Sequence, residues 1–88
     1  MQIKVVIIED DLEIRKNLAE LISSCPDFIL IEAFPDAETF LKKIDTIQID
    51  VAIVDIHLPG MSGIKCIELI KPLKPQIQFL MWTIFEDD

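Results

Sequence analysis

Basic residues are scarce in this chain: eight Lys and Arg stand against sixteen Asp and Glu, for a net charge of −8. No basic stripe runs along any segment, which argues against nucleic-acid binding through the chain's own surface. Acidity suits a metal site or a basic protein partner, or solubility alone. Cysteine is also rare. Cys25 and Cys66 lie far apart with no spacing that suggests a metal site, and read as buried or partly buried free thiols of a reducing compartment. Long apolar runs are missing: each is shorter than ten residues, too short to cross a bilayer. Met1 leads directly into a strand pattern with no cleavage region, so a cytoplasmic location without membrane association is expected. Internal repeats, low-complexity tracts and linkers are absent.

Apolar residues, by contrast, make up 51% of the 88 residues. That length allows one domain at most, and a chain so short buries only ~60–65% of its unfolded surface. The apolar share suits a sheet covered on both faces. It also implies that some apolar surface lacks cover within this chain.

Two periodicities alternate along the chain. Ile3 to Ile8 reads as a strand buried on both faces. Asp10 or Asp11 can cap the helix that follows, whose apolar stripe is Ile14, Leu18, Leu21 and Ile22. Pro26 closes it. Phe28 to Ala33 or Phe34 forms a second strand. Asp36 caps a second helix with Ala37, Phe40, Leu41 and Ile44 as its stripe. Val51 to Val54 is a third strand, and Pro59 to Gly63 a turn. A third helix runs from about Ile64 to Lys71, where Pro72 and Pro75 stop it. Ile77 to Thr83 is a fourth strand. The order β-α-β-α-β-α-β argues for a parallel sheet with right-handed crossovers.

Asp55 ends the apolar run Val51–Val54, and Glu9-Asp10-Asp11 end the run that starts at Ile3. If the first and third strands are neighbours, Glu9, Asp10 and Asp55 converge beyond their carboxyl ends, where sheets of this kind bind ligands. Like charges at short range repel and raise one another's pKa. A hard divalent cation that favours oxygen ligands is the natural occupant of such a pocket.

These residues resemble those of a bacterial two-component response-regulator receiver domain. Ile-Ile-Glu-Asp-Asp-Leu at 7–12 is similar to the family's acidic pair after the first strand. Val-Asp-Ile-His-Leu-Pro-Gly-Met-Ser-Gly at 54–63 resembles the phosphoacceptor segment, and Phe-Leu-Met-Trp-Thr at 79–83 the strand that ends in a switch threonine. The resemblance implies a flavodoxin-like (CheY-like) doubly wound parallel sheet with strand order 2-1-3-4. It also implies that Asp55 takes a phosphoryl group from a sensor histidine kinase. Mg²⁺ would be held by Asp10, Asp55 and the backbone carbonyl of His57, with Glu9 acting through a bridging water. Thr83 would bond the phosphoryl group and switch an output, often transcriptional in this family. Such a domain signals and does not turn over a substrate. The side chain of His57 is expected to be exposed beside the site.

The chain departs from the family pattern at its end. Residues 1–88 correspond to the N-terminal portion of a receiver, without the fifth strand, the last two helices or an output domain. The family's phosphate-contacting lysine has no counterpart, since Lys71 and Lys74 belong to the third helix and its exit. Loss of one such preorganised contact costs on the order of 10²–10³ in rate in other enzymes. Ile84 stands where the family usually has a small residue, and is expected to slow access to the acyl phosphate or its hydrolysis. Two rival readings are an aspartate-nucleophile phosphohydrolase and a phosphate-independent interaction module. The segment Gln78-Phe79-Leu80-Met81-Trp82 reads as an exposed sheet edge beside an uncovered face, and such edges pair with other chains. Self-association of the 88-residue chain is therefore expected, and light scattering at rising concentration should show a mass above that of the monomer.

Overall fold

The sheet is built from two central strands that are largely buried and two outer strands that are more exposed. The computed structural model describes residues 2–82. Thr83, Ile84 and the closing Glu86-Asp87-Asp88 lie outside the described residues. In chain order the elements are β1 (Ile3–Ile8), α1 (Leu12–Ser23), β2 (Phe28–Phe34), α2 (Ala37–Lys43), β3 (Val51–Asp55), α3 (Gly63–Ile70) and β4 (Gln78–Trp82). The strands lie in the order β2-β1-β3-β4, all parallel. This is the expected doubly wound order.

Val5, Val6, Ile7 and Ile8 of β1 are all buried, as a central parallel strand requires. Strand alternation sends Val6 and Ile8, with Ala52 and Val54 of β3, to one side. There they meet Ala37, Phe40 and Ile44 from the α2 segment and Cys66 and Ile70 of α3 in the main core. The Phe34 and Phe40 rings pack with centroids 5.3 Å apart and planes tilted by 55°.

The opposite side is more lightly covered. There α1 packs over β1 and β2 and has no fully buried residue. The sequence places Leu21 on the helix's apolar stripe, but it is 61% exposed. Ile14, Leu18, Ala19 and Ile22 form the half-buried face instead. Leu21 lies at the edge of that stripe, and no element among the described residues reaches far enough to cover it. Leu80, opposite Ile53 in the β3–β4 ladder, is 58% exposed. Among the described residues β4 is a sheet edge, so the apolar surface expected to lack cover is found here.

Helix starts follow the sequence closely. The Asp11 carboxylate accepts from the Ile14 amide at 3.0 Å and caps α1. That choice between Asp10 and Asp11 leaves the Asp10 carboxylate out of the cap. Asp36 caps α2 by accepting from Thr39 N at 2.6 Å. Ser62 caps α3 by accepting from Lys65 N at 3.1 Å, so that helix starts one residue before Ile64. Each satisfies an amide that the helix itself leaves unpaired.

Phe40→Ala should lower unfolding stability by about 3–5 kcal/mol, since it empties the centre of the packed side. Leu21→Ala should stay within about 1 kcal/mol, as surface substitutions do. Denaturant melts of the two variants check the contrast.

Candidate functional site

The β1–β3 ladder pairs Ile8 with Val54, so both strands end level. Glu9 and Asp10 leave β1 where Asp55 closes β3. One oxygen from each carboxylate lies within 4.8 Å of the other two. The sequence expectation that these three converge is met. Glu9 is 2% exposed and Asp55 8%, whereas Asp10 faces solvent.

Glu9 is the most constrained of the three. Its Oε1 accepts from the Asp11 amide at 3.1 Å, and its Oε2 is buried with no partner. Burial is the chief cause that pushes its carboxyl up from the ordinary 4.5 to about 7. The nearby Asp55 carboxyl and the charge of Asp10 act in the same direction, against a lowering by the Asp11 amide. Three crowded carboxylates thus retain a proton near neutrality unless a cation replaces it.

Asp55 is held by its own loop. Its Oδ1 accepts from the His57 amide at 3.0 Å. The Ile56 amide donates to the Trp82 carbonyl at 3.0 Å, and the Gly63 amide to the Ile56 carbonyl at 3.4 Å. The ring of His57 lies in an exposed residue, as expected. Trp82 is half-buried opposite Asp55 in the β3–β4 ladder, and its indole N–H is buried without a partner.

Four residues that shape the site were not singled out from the sequence. Gly63 lies so close to the Asp55 carbonyl that any side chain would collide with it, and a Cβ there would also sit 2.9 Å from Val54 Cγ1. Gly60 has φ of +70°, a backbone conformation that glycine adopts without strain. The Glu38 carboxylate lies over it and accepts from the Met61 amide at 3.3 Å. Arg15 of α1 reaches back to the β1–α1 turn, where Nη1 donates to the carbonyls of Glu9 at 2.8 Å and Asp10 at 3.3 Å. The paired glycines were the one visible signal. Nothing in the sequence marks Arg15 or Glu38 for the site.

A doubly wound parallel sheet with an acidic cluster beyond its two central strands defines a class of α/β domain. The chain belongs to the response regulator receiver domain family, whose description matches residues 5–88. It is 35% identical over 85 residues to a protein-glutamate methylesterase/protein-glutamine glutaminase of Nitrosomonas europaea, covering 97% of this chain and 24% of that protein. A protein of the same name from Paramagnetospirillum magneticum, numbered 2, is 39% identical over 74 residues, covering 84% of this chain and 21% of that one. The chain therefore spans about a quarter of the length of these relatives. Among solved structures, the response regulator domain of Thermotoga maritima CheB superposes with a TM-score of 0.85 at 26% identity, over 94% of this chain and 61% of that chain. The isolated receiver domain of RcsB from Salmonella enterica has the same fold, with a TM-score of 0.89 at 19% identity over 99% of this chain and 65% of that one. Among the described residues, no helix is long and apolar enough to cross a membrane.

The proton on Glu9 has a consequence for stability. Folded protein keeps it up to about pH 7, whereas an ordinary carboxylate loses it near 4.5. The contribution is complete below 4.5 and is lost as pH rises through about 7. Melting temperatures in chelator should fall across that window, and Glu9→Gln should flatten the slope.

Proposed function

We propose that this receiver domain is the phosphoacceptor of a two-component relay, modified on Asp55 by a phosphohistidine of a sensor histidine kinase. The reading rests on the cluster of Glu9, Asp10 and Asp55, whose Glu9 member keeps a buried, unpartnered Oε2. That orphan oxygen and the all-carboxylate donor set fit a hard divalent cation such as Mg²⁺. Asp10, Asp55 and the backbone carbonyl of His57 would hold it, with Glu9 contributing through a water. When bound, the ion would offset the repulsion between the Asp55 carboxylate and the incoming phosphoryl group.

The protein's own part is positioning. The His57 amide engages Asp55 Oδ1, which leaves the other carboxylate oxygen to attack phosphorus. An O–P bond forms as the P–N bond of the phosphohistidine breaks, and the imidazole nitrogen keeps the electron pair. In-line transfer of this kind needs little from a protein beyond alignment and charge neutralisation. The acyl phosphate adds charge and acceptor oxygens, which Thr83 would read. Gly63 keeps the space next to the Asp55 carbonyl free of any side chain.

A phosphohydrolase of this general type would place an acid two residues beyond the nucleophile. That position is His57, an exposed residue. A phosphate-independent module leaves the acidic cluster without a purpose. For the output, both relatives reported above bear the names of methylesterases and glutaminases. An attached catalytic domain of that kind is therefore favoured over a transcriptional one.

Mg²⁺ should change Trp82 fluorescence, since Trp82 is the ladder partner of Asp55, and binding should strengthen as pH rises through about 7. A small acyl-phosphate donor or beryllofluoride should then give a further, stoichiometric response that Asp55→Asn abolishes. An equal response in Asp55→Asn would remove Asp55 from the mechanism.

A further inference from the structure

The geometry points to Arg15 as the residue that positions the acidic turn, a clamp that sets the Glu9 and Asp10 carboxylates through their backbone and not through its charge. This rests on the divalent-cation reading above. Arg15 stands at the end of the first turn of α1, where a cation opposes the helix dipole. Helix stability therefore does not account for it. Helical side chains lean toward the N-terminus, and this one leans onto the β1–α1 turn.

There a single guanidinium nitrogen, Nη1, donates to both the Glu9 carbonyl at 2.8 Å and the Asp10 carbonyl at 3.3 Å. These are charge-assisted bonds, stronger than neutral ones. They bridge the two consecutive residues whose carboxylates enter the cluster. The same turn is closed by the Asp11 amide on Glu9 Oε1 and by Asp11 capping Ile14. Arg15 is the only side chain recorded as bonding the carbonyls of this turn among the described residues. Its recorded bonds go to backbone oxygens and to no carboxylate.

Two accounts of Arg15 predict opposite signs. If its positive charge acts on the cluster directly, removing it lowers repulsion toward an incoming cation, and Mg²⁺ binds more tightly. If Arg15 positions the turn, removing it lets Glu9 and Asp10 drift, and Mg²⁺ binds more weakly. Loss of groups that orient metal ligands typically weakens binding roughly 10–100-fold.

The experiment titrates Mg²⁺ into the full-length protein and into Arg15→Met and Arg15→Lys, by calorimetry, with melting temperatures measured in chelator. Binding roughly tenfold weaker in Arg15→Met, with Arg15→Lys in between, is the expected result. A melting temperature in chelator that stays close to the unsubstituted protein's is expected with it. A lysine keeps the charge and offers a compact ammonium in place of the fork. Unchanged or tighter binding in Arg15→Met overturns the inference. Should Arg15→Met fail to fold, Arg15→Lys decides alone: weaker binding supports the clamp and unaltered affinity overturns it. Absence of Mg²⁺ binding to the unsubstituted protein sinks the cation reading, and the inference falls with it.

Discussion

Like charges held together in a nearly dry place constrain this molecule more than any other interaction. The parallel register of β1 and β3 brings Ile8 level with Val54, and the residues that follow have no choice but to meet. Glu9 is inside, Asp55 is almost inside, and Asp10 closes the cluster from solvent. Such an arrangement is stable only when a proton or a cation sits within it. The folded site accordingly keeps a proton on Glu9 up to about pH 7.

The surrounding structure restrains the backbone that carries these groups. Each site turn is tied to a helix. Arg15 in α1 holds the carbonyls of the β1–α1 turn. Glu38 in α2 holds an amide of the β3–α3 turn. Asp55 is further fixed by the His57 amide, and its neighbour Ile56 by the Trp82 carbonyl. A phosphoacceptor of this kind does little covalent chemistry beyond its own attack. Positional control is accordingly the main thing the fold supplies.

Packing is unequal on the two sides of the sheet. The α2–α3 side holds the large buried side chains, Phe34 and Phe40 among them, directly beneath β1 and β3. The α1 side is thinner, and Leu80 on β4 is exposed. Gly63 packs tightly against Val54 and the Asp55 carbonyl, while the ladder partner of Asp55, Trp82, lies on the outer strand.

Much of this was legible in the amino-acid order because it depends on near neighbours. Apolar runs marked β1 and β3, Asp36 marked the start of α2, and Pro26 and Pro72 marked where α1 and α3 end. The strand-end positions of Glu9, Asp10 and Asp55 followed from those runs, and the resemblance to receiver domains added the strand order. The choice of Asp11 as cap, the exposure of Leu21 and the clamps of Arg15 and Glu38 were not legible. The cap and Arg15 act within six positions but depend on the exact path of the turn, whereas Glu38 meets Met61 across 23 positions. Glu9's raised pKa is of the same kind, since burial and the approach of Asp55 cause it. Local pattern determined which residues are helical, extended or acidic at a strand end. Only the folded chain decided which of them are buried together, because desolvation and charge repulsion act through space and not along the sequence.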